Sequence, residues 1–494
     1  MNSLVPNIVS GNKVEPQDSL IDVLNPSTGE AFGQLCRADR QAVSDAISAA
    51  DDAFGQWRQT SLAKRTEVMF NLRQIIRSRS DELAAVITRE HGKTLDDAAG
   101  EIARGLENVE FCAGLLNHMK GEFLEQAATG IDVKQIKQPV GVVSCVTPFN
   151  FPAMVPLWMI TTAIAAGNAV ILKPSEHTPY AANWIVEAFH EAGLPPGVLN
   201  VVHGGKEVVD QLIEDPRVKA ISFVGSTPVA KSIYANAAQN GKRVQALGGA
   251  KNHMIVMPDA DLEAAADCAI SAGFGSAGER CMAISVVVAV GNIADELVEK
   301  IASRIGKLKT GAGADSASDM GPVITAEAKS RITGLIQSAD DDGAALVCDG
   351  RQADLPDQGF FVGPTLIDNV TPTMEVYKQE IFGPVLCVVR VDSFDEAVEL
   401  INSNRFANGT AVFTRDGQTA REFEFRIEVG MVGINVPIPV PIGAFSFGGW
   451  KDSLFGDTHM YGPESFNFYT RRKVVTTKWP NANETQISLG FPTN

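Results

Sequence analysis

Apolar residues recur at helical spacing through the opening part of the chain. Ala42, Val43, Ala46, Ile47, Ala50, Phe54 and Trp57 share one face, and Asp39 stands before them as a cap. Ser61 and Ser80 are placed to open two further amphipathic helices. Thr94 is placed to open a fourth, long one running towards Lys120. This opening region reads as helical. From 131 to 138 apolar and polar residues alternate instead, which predicts a strand of an exposed hairpin.

From Val140 the pattern changes to short β-rich runs separated by helical ones. VGVVSCV (140–146), AVILK (169–173), VLNVV (198–202) and AISFVG (220–225) precede helices starting near Pro152, Thr178, Lys206 and Ser226. Such alternation predicts a parallel, doubly wound sheet with helices on both faces. A second α/β block follows over 253–443, with strands at 254–257 and 285–290 and helices at 261–274 and 294–306. The stretches 310–321 and 340–359, acidic or rich in glycine, read as surface loops. The proline-rich run 435–441 reads as a rigid extended connection. Residues 468–479 read as a strand able to pair with the 131–138 hairpin.

Composition narrows the function classes. A chain of 494 residues exceeds one core and predicts two or three domains. With 42 basic and 59 acidic side chains the net charge is −17, which argues against non-specific nucleic-acid or anionic-membrane binding. Seven irregularly spaced cysteines form no disulfide framework and fit reduced thiols in a cytoplasmic protein. The N-terminal residues show neither a basic start nor an apolar core, so no secretory leader is expected. The most apolar segment, 151–167, carries two prolines and reads as a buried helix rather than a membrane span.

Four places carry candidate chemistry. Cys281, flanked by small residues and preceded by Arg280, is an accessible thiol beside a cation that would stabilise its thiolate; the alternative is an inert buried cysteine. Asn150 lies in the first βα turn, where α/β sheets place ligands. It would either donate to an oxyanion formed on Cys281 or act as an Asx-type cap before Pro152. In the second turn Lys173 and Glu176 would either grip ribose hydroxyls or form a solvent-facing ion pair. Ser226 opens a helix after a strand and a glycine, a place for a pyrophosphate or for simple N-capping, and no GxGxxG fingerprint is present.

Taken in order, PFNFP, KPSE, FVGST, GGAKN, the cysteine of GERCMA, EIFGPV and NVPIPVP carry a resemblance to the NAD-dependent aldehyde dehydrogenase superfamily, covering nearly the whole chain. Within it the chain looks most like the CoA-acylating, methylmalonate-semialdehyde dehydrogenase branch. That closer likeness rests on GGAKNHMIVMPDAD (248–261), GERCMA (278–283) and the tail from 455 to 479.

The resemblance implies an aldehyde dehydrogenase-like α/β fold. A Rossmann-like NAD domain would comprise 1–121 and 140–252, an α/β catalytic domain 253–443, and a small oligomerisation hairpin with its partner strand 122–139 and 466–494. Residues 444–465 would be a connection closing the active site. It implies Cys281 as nucleophile, Asn150 as oxyanion donor, and Thr147, Phe149, Lys173, Glu176, His177, Ser226, Gly248 and Glu380 as NAD contacts. His177 departs from the arginine often found at its position. Arg104 and Arg280 would hold the carboxylate of a semialdehyde, although Arg104 also fits a helix-surface pair with Glu101 or Glu107. Coenzyme A would be co-substrate, no metal would take part, and the enzyme would be a cytoplasmic homo-oligomer, a dimer of dimers. Hydrolytic relatives carry a glutamate as base for water where Leu247 stands here, and a one-residue shift would put Ala246 or Gly248 there. None is a base. A hydrolytic enzyme would need another carboxylate such as Glu279, and a silent structural homologue would have no need of Cys281, Asn150, Lys173 and Glu176.

Overall fold

The structure is a computed structural model that describes residues 3–15 and 19–479. Val142–Val146 and Ala169–Lys173 are buried at every position, as strands covered by helices on both faces must be. With Leu199–Val201, Val218–Val224 and Arg243–Leu247 they form five parallel strands. Numbered in chain order, these five lie 3-2-1-4-5 across the sheet. This is the dinucleotide-binding arrangement, with its switch point between Val142–Val146 and Val218–Val224. Alternation divides the side chains. Val142, Val146, Ile171 and Ile221 pack with Val43, Ile47 and Leu212 on one face, and Val143, Cys145, Val170 and Leu172 join Leu157 and Ile160 on the other.

Two expectations about this region need correction. The opening region is helical only from Arg40 onward. Before it, Leu20–Asn25 and Glu30–Cys36 pair in a small sheet, and Asn7–Val9 and Asn12–Val14 extend the dinucleotide sheet antiparallel. These strands are short and their partners distant, so local periodicity does not reveal them. The helix opened by Thr94 is Leu95–Ala113. It stops at Gly114 and is followed by the single turn Leu115–His118, short of Lys120. Ser80 begins the helix Ser80–His91 without capping it, whereas Asp39, Ser61 and Thr94 each accept from a backbone N–H of the first turn.

The second sheet has seven strands, with Val385–Val391, Ile284–Val290, Asn252–Val256 and Gly409–Phe413 at its centre and Met431–Ile434 at one edge. At the other edge Ala345–Cys348 runs antiparallel to Thr365–Asp368. The stretch 340–359 is therefore not all loop. Its strand has one residue in two exposed, as an edge permits, and the polar residues around it mask it. A third sheet joins Glu122–Ala128, Ile131–Pro139 and Thr470–Lys478, with Thr470 opposite Pro139 and Lys478 opposite Ile131. The 131–138 pairing anticipated for the C-terminal strand is thus the one observed. Residues 480–494, expected to share in that element, lie outside the described residues.

The most apolar segment is the helix Met154–Ala166, buried at all its positions between the dinucleotide sheet and the helix Leu95–Ala113. Among the described residues no helix is long and apolar enough to cross a membrane.

Candidate functional site

The crevice at the switch point is built from three βα turns. The Thr147 N–H donates to the Lys173 carbonyl at 3.1 Å, which ties the first turn to the second. The Thr147 hydroxyl is buried there with no protein partner. Lys173 is buried and donates to the Gly204 carbonyl at 2.9 Å, while Glu176 lies 3.4 Å from its ammonium and is partly exposed. This is a loose contact beside a firm one, so the lysine is anchored and the carboxylate left able to accept from a ligand. Ser226 precedes the helix Thr227–Gln239 but makes no capping bond, leaving the N-terminal N–H groups open. A Cβ at Gly225 would fall 2.5 Å from the Phe223 ring, so only glycine brings the backbone this close.

Aromatic and acidic groups form the inner end of the crevice. The Phe149 ring meets those of His177 and Phe382 edge-on at 6.2 and 5.9 Å. Gly248 sits where a Cβ would be 2.7 Å from the Asp452 carbonyl. Glu380 accepts from the Ala250 N–H at 2.9 Å, and burial pushes its carboxyl up to about 7. Direct contacts thus link Thr147 to Lys173, Lys173 to Glu176 and Phe149 to His177.

Cys281 follows a strained turn. Ser276, Ala277 and Gly278 have φ of 53°, 51° and 72°. For the first two such left-handed backbone costs about 1 kcal/mol or more each and needs outside support. The Ser276 N–H donates to Asp97 at 2.9 Å, the Asn150 amide to the Glu279 carbonyl at 3.0 Å, and the Ile324 N–H to the Glu279 carboxyl at 3.2 Å. The Cys281 carbonyl accepts from Asn252 at 2.9 Å and Asn408 at 3.1 Å. Asn150 therefore reaches the Cys281 loop, and its second amide hydrogen is not used in that bond. Cys145, the other thiol near a motif, is fully buried in its strand.

The Cys281 thiol opens on a cleft of about 500 Å³ bordered by Phe151, Trp158, Met282 and Phe447, with Arg104 and Arg280 in its wall. Arg104 grips both oxygens of Glu107 at 2.9 and 2.8 Å and donates to the Val440 carbonyl at 2.9 Å. Arg280 is paired with Asp97. Both pairs stand at the cleft, and neither arginine is an isolated cation.

The local charge corrects one expectation. Arg280 does favour the thiolate, but burial first and the Glu380 carboxyl second outweigh it and push the Cys281 thiol up to about 12. The resting residue is a thiol. Glu279 turns its second oxygen to the His91 ring at 3.9 Å and does not border the cleft; burial pushes its carboxyl up to about 8. Leu247 is packed in the core beside Ala246, and neither side chain can accept a proton.

Several supporting residues escaped the sequence reading. Lys93 donates to Glu101 at 2.8 Å and to the Asn150 carbonyl at 2.6 Å, while Glu101 accepts from the N–H groups of Ala153 and Met154 at 2.7 and 3.1 Å. Glu101 faces inward and is not the surface partner of Arg104. One signal was available, since Glu101 lies on the stripe Ala98, Ile102, Gly105 and Val109 that the helix buries. Asn408 and Asp97 offered none. No group of three or more His, Cys, Asp or Glu suited to a metal occurs among the described residues.

Comparison with known proteins finds the family described as "Aldehyde dehydrogenase family" matching residues 13–475. Malonate-semialdehyde dehydrogenase of Pseudomonas aeruginosa is 54% identical over 98% of this chain and 99% of its own. The acylating mitochondrial methylmalonate-semialdehyde dehydrogenase of Arabidopsis thaliana is 47% identical over 99% of this chain and 81% of its own. Among solved structures, methylmalonate-semialdehyde dehydrogenase from Oceanimonas doudoroffii superposes with a TM-score of 0.96 at 52% identity, covering 98% and 99% of the two chains. A Sinorhizobium meliloti protein assigned the same activity, in complex with NAD, gives 0.96 at 48% identity over 98% and 100%.

Proposed function

The chain belongs to the aldehyde dehydrogenase family, and on that premise we propose NAD-dependent, CoA-acylating oxidation of malonate or methylmalonate semialdehyde, giving acetyl-CoA or propionyl-CoA with loss of CO2. The observation that carries this reading is the pair Arg104 and Arg280 in the wall of the cleft onto which Cys281 opens. Guanidinium groups meet a carboxylate with two parallel hydrogen bonds. A short acid semialdehyde held by them presents its carbonyl carbon to the sulfur.

The crevice residues fit NAD. Glu176 accepts from ribose hydroxyls and its charge disfavours a 2′-phosphate, Lys173 and the open N-terminus at Ser226 suit the rest of the nucleotide, and Glu380 and Phe149 border its inner end. NAD when bound supplies the hydride acceptor. The Cys281 sulfur, once deprotonated, attacks the aldehyde carbon, and the Asn150 amide steadies the oxyanion. Oxidation leaves a malonyl or methylmalonyl thioester on Cys281, which loses its free carboxylate as CO2 and takes a proton from solvent at the α-carbon to become the acetyl or propionyl thioester. Water needs a base at this point, and Leu247 and Ala246 provide none. A CoA thiol is already a few per cent thiolate near neutral pH, so it cleaves the thioester and frees Cys281. The hydrolytic alternative would rely on Glu279, whose carboxyl faces His91 instead.

The small third sheet carries Phe123, Leu124 and Val474, each more than 60% exposed. Apolar side chains on a hairpin suit burial against a second copy, in line with a homo-oligomer built as a dimer of dimers.

The test is NADH absorbance with malonate semialdehyde or its methyl derivative, with and without CoA. The expected result is steady turnover that depends on CoA. Turnover unchanged by saturating CoA would favour hydrolysis, and none with either aldehyde would remove the reading.

A further inference from the structure

Asp97 stands between two cavities. The Cys281 cleft of about 500 Å³ and a second space of about 450 Å³, bordered by Phe274, Leu308 and Asp319, have Asp97 and Arg280 in both their walls. The Arg280 guanidinium pairs with one oxygen of Asp97 and lies over Gly275, where a Cβ would come within 2.5 Å of it. The other oxygen accepts from the Ser276 N–H at 2.9 Å. Asp97 is also in the first turn of the helix Leu95–Ala113, and its own N–H donates to the Thr94 hydroxyl at 3.2 Å.

We propose that Asp97 is a specificity-determining residue, an internal carboxylate that occupies Arg280 until the carboxylate of the substrate displaces it. Arg280 is largely withdrawn from solvent, and an unpaired guanidinium there would collect any small anion. Asp97 sets a threshold: an anion gains entry to Arg280 only by making the better contact, and an uncharged aldehyde does not compete. The exchange leaves no stranded charge. After Arg280 turns away, Asp97 keeps the Ser276 N–H and the favourable field of its helix N-terminus. The proposal rests on reading Arg280 as an anion-binding residue of the proposed reaction.

The experiment compares alkylation of Cys281 by iodoacetate, an anion, and by neutral iodoacetamide, in full-length protein without cofactor at low salt. Mass spectrometry of the Cys281 peptide gives both rates, and their ratio reports the charge facing the sulfur, independent of its intrinsic reactivity. Asp97→Asn should raise the iodoacetate-to-iodoacetamide ratio about tenfold. Adding Arg280→Gln should abolish the rise, and Asp97→Glu, which keeps the charge, should hold the ratio near that of the native protein. If Asp97→Asn does not fold, Asp97→Ser serves the same purpose. An unchanged ratio in the charge-removing variants, or a rise that survives loss of Arg280, overturns the proposal. The outcome is separable from that of the NADH assay, since neither alkylating agent depends on the identity of the aldehyde.

Discussion

The Lys93 ammonium lies 2.8 Å from the Glu101 carboxylate with both side chains closed off from solvent. Their remaining bonds reach the Asn150 carbonyl and the first N–H groups beyond Pro152. The pair thus holds the first βα turn in place beneath the cleft.

Breaking that pair from one side strands a buried charge. Lys93→Met or Glu101→Leu should each cost about 3–5 kcal/mol in stability. The double variant should recover much of it, because two apolar side chains replace two ions. Activity should not return with it, since the Asn150 carbonyl and the Ala153 and Met154 N–H groups remain without their partners. Chemical denaturation alongside NADH turnover distinguishes the two effects.

Glu380 opposes the Cys281 thiolate. Removing its charge should lower the thiol from about 12, and one unit of that shift is a tenfold gain in thiolate. Glu380→Gln should therefore speed iodoacetamide alkylation of Cys281 at pH 8 by about three- to tenfold in the cofactor-free protein. A slower reaction would mean that Glu380 acts on the thiol as a base and not as an opposing charge.

Glu279 gives the fold a pH dependence of definite sign. Its carboxyl sits at about 8 in place of the ordinary 4.5. The folded state therefore holds the proton more tightly than the unfolded one. Its contribution is intact below 4.5 and is lost as pH rises through about 8. Glu279→Gln removes this titration. Relative to the native protein the variant should gain stability between these limits, at up to about 1.4 kcal/mol per pH unit. Denaturation midpoints at pH 5 and 8 measure it, and a constant difference would show that Glu279 does not titrate in this range.

The parallel core was legible because Val142–Val146 and Ala169–Lys173 are apolar at nearly every position. Arg243–Leu247 was not, although it belongs to the same sheet. Arg243 donates to the Phe468 carbonyl and Gln245 to the Thr458 carbonyl, so its polar residues are satisfied by chain more than two hundred positions away. The candidate site divides in the same way. Cys281, Asn150, Lys173 and Glu176 sit in short motifs at strand ends and could be found one by one. Asp97, Lys93 and Asn408 matter through what folding brings beside them, and no local pattern encodes that. The thiolate expectation failed for a related reason: adjacency to Arg280 is visible in sequence, while the enclosure of the sulfur and the Glu380 carboxyl that folding brings near it are not.

The dinucleotide sheet is completed by Leu454–Phe455, which pairs with Arg243–Leu247, and this bears on how the protein is made. On a ribosome adding 5–20 residues per second, the roughly 200 residues between these strands take on the order of 10–40 s to emerge. Throughout that interval Arg243–Leu247 is an open strand edge, able to pair with whatever extended chain is near. The nascent protein is thus most exposed to aggregation and to chaperone capture midway through synthesis. A fragment ending before residue 454 would remain in that condition permanently.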